Sequence, residues 1–172
     1  MHKWQRICVI GGSGSGKSTL ASALSEHYKI PAYHLDRELL HGQFEPLPLE
    51  EQQRRHAKII SDDAWVIDGS YAKLLDDRLA RAELVVFLNV SRLRTIPRVL
   101  RRYLKNEHRR DSVPDVARNA MSAKFLWWCL KYSRRSRYKK LEVQCKKYAH
   151  LTLVSLPRDS VDGWVRTIDA LL

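Results

Sequence analysis

The chain has 172 residues and a formal net charge of +12, from 31 Lys and Arg against 19 Asp and Glu. This length suffices for one domain with a sizeable core, and no apolar run approaches the ~20 residues that a membrane span requires. The three cysteines form no C-x-x-C pair, which favours buried thiols in a reducing compartment over a disulfide framework. We therefore expect one cytoplasmic domain over residues 1–172.

The chain opens with a short apolar strand over residues 7–10 and a glycine-rich turn. Residues 11–18 match G-x-x-x-x-G-K-[ST], the P-loop that binds nucleotide phosphates. Leu20, Leu24 and Tyr28 then recur every four residues, as on one face of a helix. A strand before the motif and a helix after it are the context that a P-loop requires.

Each part of the motif has a phosphate-binding role. Glycines let backbone N–H groups converge on a phosphate, and the start of the following helix adds free N–H groups and a positive dipole end. Lys17 supplies a charge for the β- and γ-phosphates, Ser18 a hydroxyl ligand for Mg²⁺, and Thr19 a donor to the α-phosphate. ATP and Mg²⁺ are the expected cofactors, and the predicted nucleotide-binding residues here are Gly11, Gly12, Ser13, Gly14, Ser15, Gly16, Lys17, Ser18 and Thr19.

Strands and helices alternate along the rest of the chain. Further strands are predicted over residues 32–35, 65–67, 84–88 and 151–154. Helices are predicted over residues 49–62, 74–79, 91–104, 112–128, 134–148 and 160–172, and residues 37–48 form an irregular connection. Short alternating units of this kind predict an α/β fold, a parallel sheet with helices on both faces.

Two carboxylates follow strands and are candidates for the active site. Asp68, after the third strand, is the candidate to hold Mg²⁺, and the alternative is an ordinary turn carboxylate before Gly69. Asp36, after the second strand, lies where ligands of α/β sheets bind and could accept a proton from a substrate hydroxyl. A helix cap or a salt bridge is the alternative for Asp36. The predicted substrate-binding residues are Asp36, Arg37, Tyr71 and Arg78.

The excess positive charge lies in one segment. Residues 92–147 hold 18 Lys and Arg against four acids, whereas the remainder holds 13 against 15. Such a field suits a polyphosphate or a nucleic-acid backbone, and a merely solvated surface is the alternative. In the first helix of the segment the apolar side chains Leu93, Ile96, Leu100 and Leu104 line one face. Arg102, Arg109 and Arg110 are predicted to close over the transferring phosphate, as part of a lid at about residues 98–115.

The P-loop does not by itself choose among nucleotide-dependent proteins. The NKxD guanine motif is absent and the chain is short for the large ATPases, which leaves the plan of a small kinase with a substrate-binding insert at residues 37–64. We predict an ATP-dependent phosphotransferase of the nucleoside or nucleotide kinase type, with an unidentified small acceptor. The alternatives are a nucleotide-regulated DNA-binding protein and an NTP hydrolase.

Seven stretches of the chain together carry a resemblance to a known family: GGSGSGKST, His34-Leu35-Asp36, WVIDGSY, LVVFLNVSR, RRYLKNEHRRD, FLWW and SRRSR. They resemble the motifs of adenylate-kinase-like P-loop proteins, and most closely those of the bacterial topology modulation proteins. Ser70, Asn89 and Ser91 depart from the residues usual in that group. The resemblance implies a five-stranded sheet in the order 2-3-1-4-5, an Arg-rich helical lid and ATP-dependent transfer to a small acceptor. It also implies nucleotide contacts by Arg98 and Arg158.

Overall fold

A five-stranded parallel sheet organises the fold in the computed structural model, which describes residues 4–41, 45–105, 134–157 and 159–172. The strands are β1 (Arg6–Gly11), β2 (Ala32–His34), β3 (Leu40–His41), β4 (Glu45–Pro46), β5 (Trp65–Asp68), β6 (Leu84–Leu88) and β7 (Thr152–Leu156). The helices are α1 (Lys17–Tyr28), α2 (Leu35–Glu38), α3 (Leu49–Ser61), α4 (Leu75–Arg81), α5 (Arg92–Lys105), α6 (Arg134–Cys145) and α7 (Val161–Asp169), and a 3-10 turn covers Ala72–Leu74.

The sheet confirms the predicted α/β fold and its strand order. Its strands follow one another as β2-β5-β1-β6-β7, which is 2-3-1-4-5 when only the strands of this sheet are counted. The two remaining strands, β3 and β4, pair as a separate antiparallel hairpin. This hairpin lies in the connection predicted to be irregular, and α2 begins before it, at Leu35, which was predicted to end a strand. In this connection the carbonyl of the buried Leu39 accepts a hydrogen bond from the backbone N–H of Leu47 at 3.0 Å.

Alternate side chains of the strands pack on opposite faces of the sheet, as the period of a strand requires. Ile7 and Val9 face the side covered by α1 and α7, and Cys8 and Ile10 face the side covered by α2, α3, α4 and α6. Because both faces are covered, the central strands β1, β5 and β6 consist almost entirely of buried residues. This explains their continuous apolar runs in the sequence.

Helix α5 buries a different face from the one that its apolar pattern suggests. Leu93 is 87% exposed and Leu100 is 43% exposed, whereas Thr95 and Val99 are buried. The reason is a close approach to the P-loop: a Cβ atom on Gly14 would lie 2.8 Å from the Thr95 carbonyl oxygen and 2.9 Å from Val99 Cγ2. Small side chains on that face of α5 let its backbone reach the glycine loop.

Several expectations lie outside the described residues. These are the helix predicted over residues 112–128 with Trp127 and Trp128, the lid residues Arg109 and Arg110, and the nucleotide contact Arg158. Within the described part of the chain, no helix is both long enough and apolar enough to cross a membrane.

Candidate active site

The carboxyl ends of three neighbouring strands bring the predicted site residues to one edge of the sheet. In the strand register His34 pairs with Asp68, and Asp68 pairs with Val9, two residues before the P-loop begins. Such an edge is where ligands bind in parallel α/β sheets. The sheet therefore places the P-loop, at the end of β1, beside the Asp68 carboxylate at the end of β5.

The P-loop has the backbone geometry that its glycines predict. Gly14 and Gly16 have positive φ angles of 74° and 101°, which residues with a Cβ rarely adopt. The backbone N–H of Ser15 donates to the Gly12 carbonyl at 3.2 Å and closes the turn. Lys17 Nζ donates to the same carbonyl at 3.1 Å, so the ammonium group lies over the loop at the start of α1.

Two side chains from distant parts of the chain, one aliphatic and one aromatic, pack against this loop. Val99 of α5 lies against Gly14, and the indole ring of Trp164 in α7 would be 3.2 Å from a Cβ on Gly16. Trp164 is buried and donates from Nε1 to the carbonyl of Pro157 at 2.8 Å. The same side chain thus joins the start of α1 to the loop between β7 and α7.

A chain of hydrogen bonds links α1, β5 and β2 through Asp68. Ser18 Oγ donates to Asp68 Oδ2 at 2.6 Å, and Asp68 Oδ1 lies 2.8 Å from His34 Nδ1. The carboxylate is buried, and both of its oxygens have a partner. This arrangement presents the hydroxyl and carboxylate oxygens side by side at the start of α1.

Asp36 is accessible to solvent although protein atoms surround it. Its residue is exposed, yet desolvation, with a smaller contribution from Asp68, raises the pKa of its carboxyl, while Lys17 and His34 act in the opposite direction. Tyr71 donates a hydrogen bond to Asp36 Oδ1 at 3.0 Å, and burial raises the pKa of Tyr71, so this phenol remains a donor. An accessible but desolvated carboxylate is typical of a cleft.

The chain matches no protein-family model and no curated protein. Among solved structures it resembles a shikimate kinase from Acinetobacter baumannii in complex with shikimate, at 17% identity and a TM-score of 0.62, over 98% of this chain and 93% of that one. It also resembles a shikimate kinase from Aquifex aeolicus, at 19% identity and a TM-score of 0.55, over 96% of this chain and 94% of that one. A gluconokinase from Sinorhizobium meliloti is similar at 20% identity and a TM-score of 0.56, over 94% of this chain and 87% of that one. The likeness is one of fold.

Five of the predicted side chains lie together beside the glycine loop. Lys17, Ser18, Asp36, Asp68 and Tyr71 lie at one edge of the sheet. Outside this group, Arg37 is exposed on α2, Arg98 is exposed on α5, and Arg102 belongs to α5.

Arg78 differs from its predicted place on the wall of a pocket. Its side chain is fully buried, and its guanidinium donates to the carbonyls of Gly69 at 2.8 Å and Ser70 at 3.1 Å. With no exposed surface, it does not line an open pocket in this conformation.

Two residues of the site were not predicted from the sequence. His34 is the last residue of β2 and lies two residues before the predicted Asp36, so its position at the end of a strand was the available signal. Trp164 had no such signal, because its contact with Gly16 joins positions 148 residues apart in the chain. Only the packing of α7 against α1 reveals it.

Proposed function

We propose that this chain is an ATP-dependent phosphotransferase that acts on a hydroxyl group of a small molecule. The observation that carries the proposal is the accessible Asp36 carboxylate beside the P-loop, within the electrostatic reach of Lys17 and Asp68. A carboxylate there can accept the proton of an attacking hydroxyl. A phosphate acceptor needs no such base, because it is already an anion.

The P-loop fits the triphosphate of ATP. The positive φ angles of Gly14 and Gly16 open the backbone toward a phosphate, and Lys17 already lies over the turn on a carbonyl acceptor. The hydroxyl of Ser15 is buried and has no hydrogen-bond partner among the described residues, so the loop holds a polar group that the protein leaves unsatisfied. These features are the donors and the space that a phosphate requires.

The residues present also fit Mg²⁺. Ser18 and Asp68 offer only oxygen atoms, the ligands that this cation prefers. No group of three or more His, Cys, Asp or Glu side chains is placed to hold a metal in the part of the chain that the structure describes, and Mg²⁺ in nucleotide sites is held by one or two protein groups, phosphates and water. When bound, Mg²⁺ neutralises charge on the phosphate oxygens.

The remaining cations belong to the proposal as phosphate and substrate contacts. The transferring phosphate would be neutralised by arginines of α5 and of the lid at about residues 98–115, namely Arg98, Arg102, Arg109 and Arg110. The packing of α5 against Gly14 supports this placement. Arg158 would contact the nucleotide from the loop that Trp164 holds at Pro157. Arg37, on the same short helix as Asp36, would contact the acceptor, in the insert at residues 37–64.

The known structures of similar fold support a small acceptor rather than a macromolecule. Those described above bear the names shikimate kinase and gluconokinase, and one holds shikimate. We place the reaction in the cytoplasm, because Cys8 and Cys145 are buried free thiols, as a reducing compartment allows. The narrower likeness to topology modulation proteins remains a hypothesis carried by the sequence motifs.

The test is ADP release from Mg-ATP in the presence of nucleosides, nucleoside monophosphates, sugars and hydroxy acids. One acceptor class should stimulate release in the wild type, and stimulation should be lost in Lys17→Ala and in Asp36→Asn. Lys139→Ala and Asp63→Asn, which change exposed residues away from the site, are the matched controls. Release that no acceptor changes would favour an NTP hydrolase, and ATP binding without release would favour a nucleotide-regulated binding protein.

A further inference from the structure

Arg78 is a buried cation whose hydrogen bonds go to the backbone. Its guanidinium donates to two successive carbonyls, Gly69 at 2.8 Å and Ser70 at 3.1 Å. None of the ion pairs within the described ranges includes it, and its Nε has no hydrogen-bond partner there. Because burying a charge without hydrogen-bond partners is costly, the guanidinium needs these two carbonyls as its acceptors.

The two carbonyls belong to a loop that is also fixed from its other side. Gly69 has a φ of +126°, and a Cβ there would lie 3.0 Å from Leu35 Cβ. Leu35 is the first residue of α2, and the next residue is Asp36. The loop is therefore held between the buried guanidinium and the short helix that carries the candidate base.

Tyr71 follows these carbonyls in an unusual backbone conformation. Its φ is 20° and its ψ is 74°, a combination that side-chain-bearing residues seldom adopt and that persists only where the surroundings impose it. In this conformation its hydroxyl donates to Asp36 Oδ1 at 3.0 Å. The other carboxylate oxygen of Asp36, Oδ2, makes no hydrogen bond with any described residue. Because Asp36 is exposed, this oxygen is open to a ligand.

We propose that Arg78 and Tyr71 are positioning residues for the acceptor side of the site: Arg78 fixes the loop 69–71, and the Tyr71 hydroxyl fixes Asp36 so that Oδ2 receives the acceptor hydroxyl. The proposal rests on the proposed function for its last step only. It also gives Arg78 a role at a distance from the acceptor, in place of the direct contact predicted from the sequence.

Four groups face Asp36, and their effects on the pKa of its carboxyl determine what the proposal predicts. Lys17 of α1, His34 of β2 and the Tyr71 hydroxyl favour the ionised carboxylate, whereas Asp68 of β5 and desolvation disfavour it. Because the Tyr71 bond stabilises the charged form, its loss raises the pKa of Asp36. Any change that moves Tyr71 through its loop should do the same.

The experiment is a pH titration of the Asp36 carboxyl by NMR in the full chain, with ¹³C-labelled aspartate and without ligands. Asp36 is assigned by the signal missing from Asp36→Asn. We expect Tyr71→Phe to raise the pKa of Asp36, and Arg78→Lys, which keeps the charge but loses the two-carbonyl fork, to raise it as well. The double variant should match Tyr71→Phe alone, because both changes remove the same hydrogen bond.

Each variant has a control on a neighbouring element. Tyr33→Phe removes another tyrosine hydroxyl bond to an aspartate, Asp62 at 2.9 Å, and Arg81→Lys changes the partly exposed arginine one turn along α4. Neither should move the pKa of Asp36. Gly69→Ala, which displaces the loop from the Leu35 side, replaces Arg78→Lys if that variant does not fold.

The outcomes separate this proposal from the proposed function. An unchanged Asp36 pKa in folded Tyr71→Phe, or in folded Arg78→Lys or Gly69→Ala, overturns the positioning role whatever the enzyme does. A raised pKa without any acceptor-stimulated ADP release would support the positioning and overturn the phosphotransferase. With an acceptor in hand, Arg78→Lys should lower kcat about tenfold or more and leave the KM for ATP unchanged.

Discussion

At the scale of single residues, the ionised carboxylate of Asp36 costs the folded chain stability. Desolvation raises the pKa of this carboxyl above the ordinary value of 3.8. A raised pKa means that the folded chain disfavours the ionised form relative to the unfolded chain. The free energy of unfolding therefore falls as the pH rises from 3.8 through the raised pKa, and that loss persists at neutral pH.

We predict that Asp36→Asn raises the melting temperature at pH 7 while it abolishes acceptor-stimulated turnover, a trade between stability and activity. The amide keeps an oxygen for the Tyr71 hydroxyl and carries no charge to desolvate. The gain should shrink as the pH falls toward 3.8, where the wild-type carboxyl is also protonated. Thermal unfolding followed by circular dichroism over this pH range measures it, with Asp63→Asn as the control, and a lower melting temperature at pH 7 would contradict the argument.

A second prediction concerns Asp68, whose oxygens accept from Ser18 at 2.6 Å and lie 2.8 Å from His34. Asp68→Asn should raise the Mg²⁺ concentration needed for half-maximal ADP release by about 10–100-fold, the range found when a partner of a metal ligand is lost. Binding of ATP without Mg²⁺ should change far less. Titration of Mg²⁺ at fixed ATP gives the first quantity, and ATP binding in the presence of a chelator gives the second. Equal losses with and without the metal would refute the role.

At the scale of elements, the packing of α5 against the P-loop is the contact with the largest consequence. Gly14 has a φ of +74°, and its Cα is covered by the Thr95 carbonyl and by Val99. The basic helix and the phosphate loop are therefore in direct contact, and a change in one displaces the other. This contact explains why Thr95 and Val99, rather than Leu93 and Leu100, are buried.

We predict that Gly14→Ala weakens both stability and ATP binding. The left-handed backbone costs about 1–2 kcal/mol for a residue with a Cβ, and overpacking against a backbone carbonyl adds about 1–3 kcal/mol. At roughly 2–4 °C per kcal/mol for a chain of this size, the melting temperature should fall by several degrees. Gly163→Ala is the control, because the three atoms nearest to its new Cβ all belong to the exposed Asp159 side chain, which can move aside, and a helix favours alanine.

At the scale of the whole molecule, the asymmetry of charge decides which partners are attracted. Residues 92–147 carry 18 Lys and Arg against four acids, and Arg94, Arg98 and Arg101 are exposed along one face of α5. This field attracts ATP, and it attracts any nucleic acid without regard to sequence. Salt separates the two because DNA binding releases many counterions, whereas a P-loop holds phosphate largely through backbone N–H groups.

We predict that DNA retention falls by an order of magnitude or more between about 50 mM and 200 mM salt, while the affinity for Mg-ATP changes by only a few-fold. Fluorescence anisotropy of a labelled duplex and of a labelled ATP analogue measures the two affinities in the same buffers. DNA binding that persists at 200 mM salt and responds to ATP would instead favour the nucleotide-regulated DNA-binding alternative.

The P-loop, the strands of the five-stranded sheet and the order of the elements around them could be predicted from the sequence. A local backbone motif needs only neighbouring residues, so GGSGSGKST predicts the loop, and the runs that form β1, β5 and β6 are apolar because both faces of the sheet are covered. Asp36 and Asp68 could also be chosen, since each follows a strand and parallel strands end at one edge.

What those residues contact depends on the tertiary structure. That Arg78 turns inward to the carbonyls of Gly69 and Ser70 depends on the space beneath the loop, and the sequence pattern of α4 allowed an exposed arginine equally well. The contact of Trp164 with Gly16, and that of α5 with Gly14, join segments far apart in the chain. Such choices depend on which surfaces meet when the helices pack, and periodicity along one segment does not contain that information.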